Sequence, residues 1–156
     1  GMAGSARNWP LPHYKSLATA LREKGKTVVV TGTSLDRSYI EDSKILEVPG
    51  VVNLLEKTPS TDLLAVLSLS SAVVVPSTGV AHLAASLGKK VVGLYSPVKV
   101  QAPRRWAPWG PKVVVHVPQL ECPGSRKCLE QDCPLFDCMD KIQVDSIVKD
   151  VLETEI

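Results

Sequence analysis

Short apolar runs alternate with segments of helical periodicity along most of the chain. Runs rich in β-branched residues predict strands at residues 27–32, 50–55, 72–76, 90–95 and 112–117. Helical spacing and helix-start signals predict helices at residues 12–24, 36–46, 59–72, 79–87 and 144–152. Unbroken apolar strands separated by helices are typical of parallel sheets covered on both sides. The pattern therefore predicts an α/β fold, with a Rossmann-like, open, mostly parallel sheet and helices on both faces.

The turn "PSTGVAH", residues 76–82, follows the third predicted strand and opens a helix. Ligands of open α/β sheets bind beyond the carboxyl ends of the strands, where a helix start offers free N–H groups to an anion. Ser77 or Thr78 is suited to cap the helix, and Gly79 leaves its backbone open to a ligand. The alternative is that this turn only caps a helix.

The helix that follows has a predicted inward face. Its i, i+3, i+4, i+7 stripe consists of Val80, Leu83, Ala84 and Leu87. His82 therefore lies off the buried face, within reach of a ligand at the helix start, or else it is a solvated side chain.

Composition and charge narrow the function classes. The 156 residues suit one domain, and Gly1 is expected to be the remainder of a cleaved tag. The net charge is small, because 18 Lys and Arg residues face 16 Asp and Glu residues. A protein that binds nucleic acid would carry a larger excess of positive charge. No apolar run approaches the roughly 20 residues that span a bilayer, and no secretory signal is evident. We expect a cytoplasmic protein without a transmembrane segment, at most peripheral at the inner face of the membrane.

Two further segments contain residues that could contact a ligand or bind a metal. The proline-rich loop at residues 96–111 contains Trp106 and Trp109, which either form a lid or pack against the sheet. The segment at residues 118–141 holds four cysteines spaced C-x5-C-x4-C-x4-C, namely Cys122, Cys128, Cys133 and Cys138. Three states stay open for them: a structural zinc site, disulfides formed on oxidation, or free thiols.

The segment "STGVAHLAASLGKKVVGLYSP" resembles the Asp-Ser/Thr-Gly-x-x-His-Leu-Ala-x-Ala-Leu-Gly segment of family 9 glycosyltransferases, the heptosyltransferases of lipopolysaccharide assembly. Other segments are similar to the family in the same order: "GSARNWP", "VVVTGTSLD", "WAPWG" and the cysteine-rich stretch ending "CMDKI". Together they cover nearly the whole chain and match the C-terminal, donor-binding half of a two-domain GT-B enzyme. The resemblance implies that residues 1–156 form a single nucleotide-sugar-binding domain.

The resemblance also implies a donor site. At the diphosphate it places Ser5, Arg7, Ser77, Thr78, Gly79 and His82. It places Asp36 near the nucleoside, although an acidic residue after a strand is more commonly a cap. Ser77 departs from the family pattern, which has Asp at this position.

The function that the resemblance implies is transfer of a sugar from an ADP-sugar, ADP-heptose in the family, to a lipopolysaccharide core acceptor. The acceptor site and the general base are expected in an N-terminal half that is absent here, so no catalytic residue is assigned in this chain, which alone is expected to be inactive. No cofactor is required for this function, and a structural zinc at the cysteines stays one of the three open states. The alternatives are a stand-alone nucleotide-binding module without catalysis, or half of another GT-B enzyme that uses a UDP-sugar.

Overall fold

Parallel strands alternate with helices throughout the computed structural model, which describes residues 7–124 and 127–153. The strands are β1 Val29–Gly32, β2 Val52–Leu55, β3 Ala72–Pro76, β4 Lys90–Leu94 and β5 Val113–His116. The helices are α1 Leu11–Glu23, α2 Arg37–Ser43, α3 Ser60–Leu69, α4 Gly79–Ser86, α5 Pro103–Trp106 and α6 Val144–Leu152. The predicted strands and helices are confirmed, and seven of the ten are one to four residues shorter than expected. The strands are shorter because the apolar runs extend past the hydrogen-bonded ladder. The exception is the short α5, which lies inside the predicted loop.

All strand pairs are parallel, as predicted, and they form two ladders. One ladder pairs β1 with β2, and the other has the order β3-β4-β5. In the second ladder, Pro76 is in register with Leu94, and Leu94 with His116. The segments that follow these three strands therefore leave from the same edge of the sheet, which we call the carboxyl edge.

Helices cover both faces of the second ladder, as the sequence predicts. Val91 belongs to a buried cluster with residues of α3 and α4, whereas the next residue, Val92, belongs to a cluster with residues of α1 and α6. Successive side chains of a strand point to opposite faces, so this alternation requires apolar cover on each side. Burying a valine completely contributes about 1.5–3 kcal/mol.

In the described part of the chain, no helix has the length and apolarity needed to cross a membrane.

The buried face of α4 differs from the predicted stripe. Ala81 and Ala84 are completely buried, whereas Leu83 and Leu87 keep 39% and 38% of their surface exposed. Alanine side chains let the helix backbone approach β3 and β4 closely, and larger side chains in the same place would hold it away. The prediction placed leucine on the buried face because leucine is more hydrophobic than alanine. Close packing against the sheet instead favoured the smaller alanine side chain at the buried positions. The prediction that His82 lies off the buried face is confirmed, since His82 is exposed.

A buried tyrosine fixes the loop that follows β4. Tyr95 is fully buried, and its hydroxyl donates a hydrogen bond to the Trp106 carbonyl oxygen at 3.2 Å. Burial raises the pKa of Tyr95, so the phenol stays a protonated donor. Its ring fits because residue 93 is glycine: a Cβ there would lie 2.6 Å from Tyr95 Cε2. A glycine inside a strand thus marks a close contact.

We expect Gly93→Ala to destabilise the protein by about 1–3 kcal/mol, because the added methyl group displaces the buried Tyr95 ring. Gly110→Ala is the matched control: a Cβ there meets only Val113 Cγ2, at an ordinary 3.4 Å. Urea unfolding measures both variants. Equal stability of Gly93→Ala and Gly110→Ala would contradict this account of the strand.

We expect Gly88→Ala to lower the free energy of unfolding by about 1–2 kcal/mol, because Gly88 ends α4 with a φ of +67° and L-residues resist that conformation. No atom lies within 4 Å of a Cβ at either Gly88 or Gly79, so packing does not enter the comparison. Gly79→Ala, at the other end of the same helix and without a positive φ, should leave stability unchanged or raise it by up to about 1 kcal/mol. Chemical denaturation of the two variants side by side tests the difference.

Candidate functional site

The start of α4 lies at the carboxyl edge, directly after β3. Thr78 occupies the N-cap position with extended backbone angles, φ −144° and ψ 167°. Its side chain makes no capping hydrogen bond to the helix, which differs from the predicted capping role. The Thr78 Oγ1 atom is buried, and within residues 7–124 and 127–153 it has no hydrogen-bond partner. Leaving a buried hydroxyl unpaired costs about 1–3 kcal/mol, so this atom is a candidate for contact with a ligand.

Gly79, the first residue of α4, opens the helix start to solvent. A Cβ placed on it would meet no atom of the described residues within 4 Å, and its φ is not positive. Neither packing nor backbone conformation therefore requires glycine at this position. The first-turn N–H groups of α4 face an open approach, and the positive end of the helix dipole lies at the same place. Ser77, where the family pattern has Asp, is half-buried immediately before this turn.

His82 links α4 to the loop after β4. Its Nε2 lies 3.1 Å from the Trp106 carbonyl oxygen, the same atom that accepts a hydrogen bond from Tyr95. Because a carbonyl oxygen can only accept, Nε2 must be the protonated nitrogen in this contact. His82 thus holds the loop beside the helix start, a positioning contact that the sequence pattern did not reveal.

The loop held in this way presents its tryptophans to solvent. Trp106 donates from its indole N–H to the Val100 carbonyl oxygen at 2.7 Å and is half exposed. Trp109 is 97% exposed, so the expectation that these aromatics pack against the sheet is wrong for Trp109. The Arg105 guanidinium lies 5.6 Å from the Trp106 ring centroid, so a cation lies beside this half-exposed indole.

Asp36 follows β1 and serves as a local cap. It is buried, and its Oδ2 accepts hydrogen bonds from the Thr33 backbone N–H at 2.9 Å and the Thr33 hydroxyl at 3.0 Å. The capping role that the sequence offered as the alternative is therefore present. Contact of Asp36 with a nucleoside stays a prediction.

Arg7 and Ser5 complete the predicted donor site, and Ser5 lies outside the described residues. The Arg7 guanidinium donates from Nη2 to the Phe136 carbonyl oxygen at 2.6 Å and lies 4.3 Å from the Phe136 ring centroid. These contacts join Arg7 to the cysteine-rich segment. Within the described ranges, Arg7 makes no hydrogen bond or ion pair with the start of α4. Its role at a phosphate stays a prediction.

The cysteine-rich segment brings its four thiols together. Cys122, Cys128, Cys133 and Cys138 line one small cavity, and all four are free thiols. Burial raises the pKa of Cys138, the Arg7 guanidinium acts in the opposite direction, and the other three thiols raise it further. The spacing of the cysteines suggested a cluster, and the fold places them around one point.

Two further histidines contact carboxylate groups in the fold. His116 Nε2 lies 2.5 Å from Asp150 Oδ2 and joins the end of β5 to α6. His13 Nε2 lies 3.1 Å from Asp140 Oδ1 and joins α1 to the turn before α6. Both pairs connect residues far apart in the chain, so no local pattern predicts them. They attach the helices around the sheet and lie outside the start of α4.

Comparison with known proteins gives consistent matches. The family model for glycosyltransferase family 9 (heptosyltransferase) matches residues 2–135. Lipooligosaccharide heptosyltransferase 2 of Haemophilus influenzae is 29% identical over 102 residues, which are 63% of this chain and 30% of that protein. Lipopolysaccharide heptosyltransferase 2 of Escherichia coli is 30% identical over 100 residues, 60% of this chain and 28% of that protein.

Solved structures share the fold. The E. coli ADP-heptose lps heptosyltransferase II aligns with a TM-score of 0.75 and 23% identity over 95% of this chain and 42% of its own. A family 9 glycosyl transferase from Veillonella parvula aligns with a TM-score of 0.75 and 17% identity over 99% of this chain and 45% of its own. The chain thus spans less than half the length of the proteins it matches. The family match over residues 2–135 nevertheless shows that this chain belongs to glycosyltransferase family 9.

Proposed function

We propose that this domain binds the nucleotide-diphospho-sugar donor of a glycosyltransferase, with the diphosphate at the start of α4. The observation that carries the proposal is the buried, unpartnered Thr78 hydroxyl beside an open helix start. A phosphate oxygen would accept a hydrogen bond from this hydroxyl and from the first N–H groups of the helix. Ligand binding would then offset the cost of the unpaired hydroxyl.

Glycine at residue 79 supports the same placement. Since neither packing nor φ requires it, its absent side chain is best explained by a ligand that approaches the backbone closely. Alanine at this position would put a methyl group between the phosphate and the helix start. Gly79→Ala therefore separates ligand binding from folding, because the fold should tolerate it.

His82 and the loop at residues 106–110 complete the proposed donor site. His82 holds the Trp106 carbonyl oxygen, and the indoles beyond that carbonyl are exposed. Exposed aromatic rings next to a phosphate site are suited to stack on a base or a sugar. We infer that this loop forms one wall of the donor site and that His82, whose Nε2–H donates to the Trp106 carbonyl oxygen, acts on the donor by positioning this loop.

The chemistry that this domain would supply is stabilisation of the leaving group. Sugar transfer needs a base that deprotonates the acceptor hydroxyl and preorganised donors that stabilise the departing diphosphate. The start of α4 offers the second function. The base and the acceptor site are proposed to belong to the part of the enzyme that corresponds to the remaining length of the relatives.

The names of the relatives suggest the substrates. They are lipopolysaccharide and lipooligosaccharide heptosyltransferases, and one solved relative is named for ADP-heptose. We therefore propose an ADP-sugar, ADP-heptose in the first instance, and a lipopolysaccharide core acceptor for the whole enzyme. Ser77, which replaces the Asp of the family pattern, removes a carboxylate beside the donor, so another sugar is the specific alternative to test.

Calorimetric titration of the 156-residue chain with ADP, AMP, UDP and GDP tests the donor site. We expect ADP to bind more tightly than AMP, because the helix start holds the second phosphate. Thr78→Val should weaken ADP binding about tenfold through loss of one hydrogen bond to a charged group. Gly79→Ala should weaken it as well. Ser86→Ala, at the exposed far end of α4, is the control and should bind ADP like the parent.

Three results would count against the proposal. If Thr78→Val and Gly79→Ala bind ADP like the parent, the start of α4 is not the diphosphate site. Tighter binding of UDP than of ADP would support a UDP-sugar donor. If the protein is folded and binds none of the four nucleotides, residues 1–156 alone do not form the proposed donor site.

A further inference from the structure

The four cysteines share one small cavity whose remaining wall is apolar. Its other lining residues include Val98, Leu120, Leu129, Leu135 and Phe136. The cavity volume is about 10 Å³, close to the smallest space that holds one water molecule. A space of this size can hold a single ion.

Backbone N–H groups point at two of the sulfurs. The Glu130 N–H donates to Cys128 Sγ at 3.4 Å, and the Leu135 N–H donates to Cys133 Sγ at 3.4 Å. In both cases the donor lies two residues after the cysteine, so the local turn of the chain brings a backbone N–H to the cysteine sulfur. Such bonds stabilise a thiolate, which is the form that binds metals.

A cation and an aromatic ring cover the same cluster. The Arg7 guanidinium stacks on Phe136 and donates to its carbonyl oxygen, and Phe136 lines the same cavity as the four cysteines. A tetrathiolate site around a divalent cation carries a net charge of about −2, and a nearby guanidinium partly neutralises it. This arrangement gives Arg7 a structural role in this domain that is independent of the donor.

We propose that Cys122, Cys128, Cys133 and Cys138 bind one zinc ion as a closed, structural tetrathiolate site. Thiolate ligands select soft or borderline metals, and four protein ligands leave no open position for catalysis. Binding converts four thiols and one Zn²⁺ into a zinc tetrathiolate and four released protons. The residues that line this cavity come from the loop after β4 and from the cysteine-rich segment, so the proposal does not depend on the proposed donor binding.

The thiols must move inward when the metal binds. Over the ranges that the structure describes, no three His, Cys, Asp or Glu side chains are already arranged to hold a metal ion. In small structural sites the free energy of metal binding drives the final ordering of the ligand loops. We therefore expect zinc to fix the positions of residues 127–141 in addition to binding there.

Elemental analysis of the protein, purified with reductant and without chelator and then incubated with excess zinc and desalted, tests the site. We expect about one zinc per chain. Titration of the metal-free protein with Co²⁺ should give the charge-transfer and ligand-field absorption of a tetrahedral thiolate site. Cys128→Ser and Cys133→Ser should weaken binding by more than the roughly 10- to 100-fold that loss of an outer-shell partner costs. Gln131→Ala, exposed in the same segment, is the control and should bind like the parent.

Hydrogen exchange supplies a readout that does not depend on folding of the variants. Zinc added to the metal-free parent protein should slow amide exchange within residues 118–141 and leave β3 and α4 unchanged. The proposal is overturned if the reduced protein binds neither zinc nor Co²⁺, or if it binds them as weakly as the serine variants. It is also overturned if protein purified with reductant holds iron instead of zinc or contains the four cysteines as two disulfides. Nucleotide titration is read separately, so failure of one site leaves the other intact.

Discussion

The parallel register of β3, β4 and β5 determines where the start of α4 and the loop after β4 lie. Because Pro76, Leu94 and His116 are in register, the segments after the three strands leave from one edge. The polar turn before α4 and the loop anchored by Tyr95 therefore meet although they are distant in sequence. Hydrogen bonding between parallel strands thus produces a site whose parts no single segment contains.

Close packing then sets the details of that site. Ala81 and Ala84 let α4 lie directly on β3 and β4, and Gly93 makes room for the Tyr95 ring. Small residues on both elements bring His82 and Tyr95 to the same carbonyl oxygen, that of Trp106. The loop and the helix start are consequently positioned by the core.

The beginning and the end of the described chain are joined around the same sheet. The Trp9 indole N–H donates to the Ile142 carbonyl oxygen at 2.8 Å, and Trp9 is completely enclosed. Next to it, Arg7 reaches the cysteine-rich segment through Phe136. A basic residue that the family resemblance assigns to a phosphate thus contacts the cysteine-rich segment.

The sequence by itself determined the alternation of strands and helices, the parallel sheet, the turn at residues 76–82 and the family, because periodicity and turn chemistry are local. Only the tertiary structure decided which face of α4 is buried, since packing distance favoured Ala81 over Leu83. The pairing of His116 with Asp150 and the placement of Arg7 on Phe136 join residues 34 and 129 positions apart. Such contacts depend on how the elements pack together, which hydrophobic spacing along one element does not encode. The four cysteines were predicted only in part. Their spacing in the sequence indicated a cluster, whereas the cavity that they line and the hydrogen bonds to their sulfurs depend on the tertiary structure.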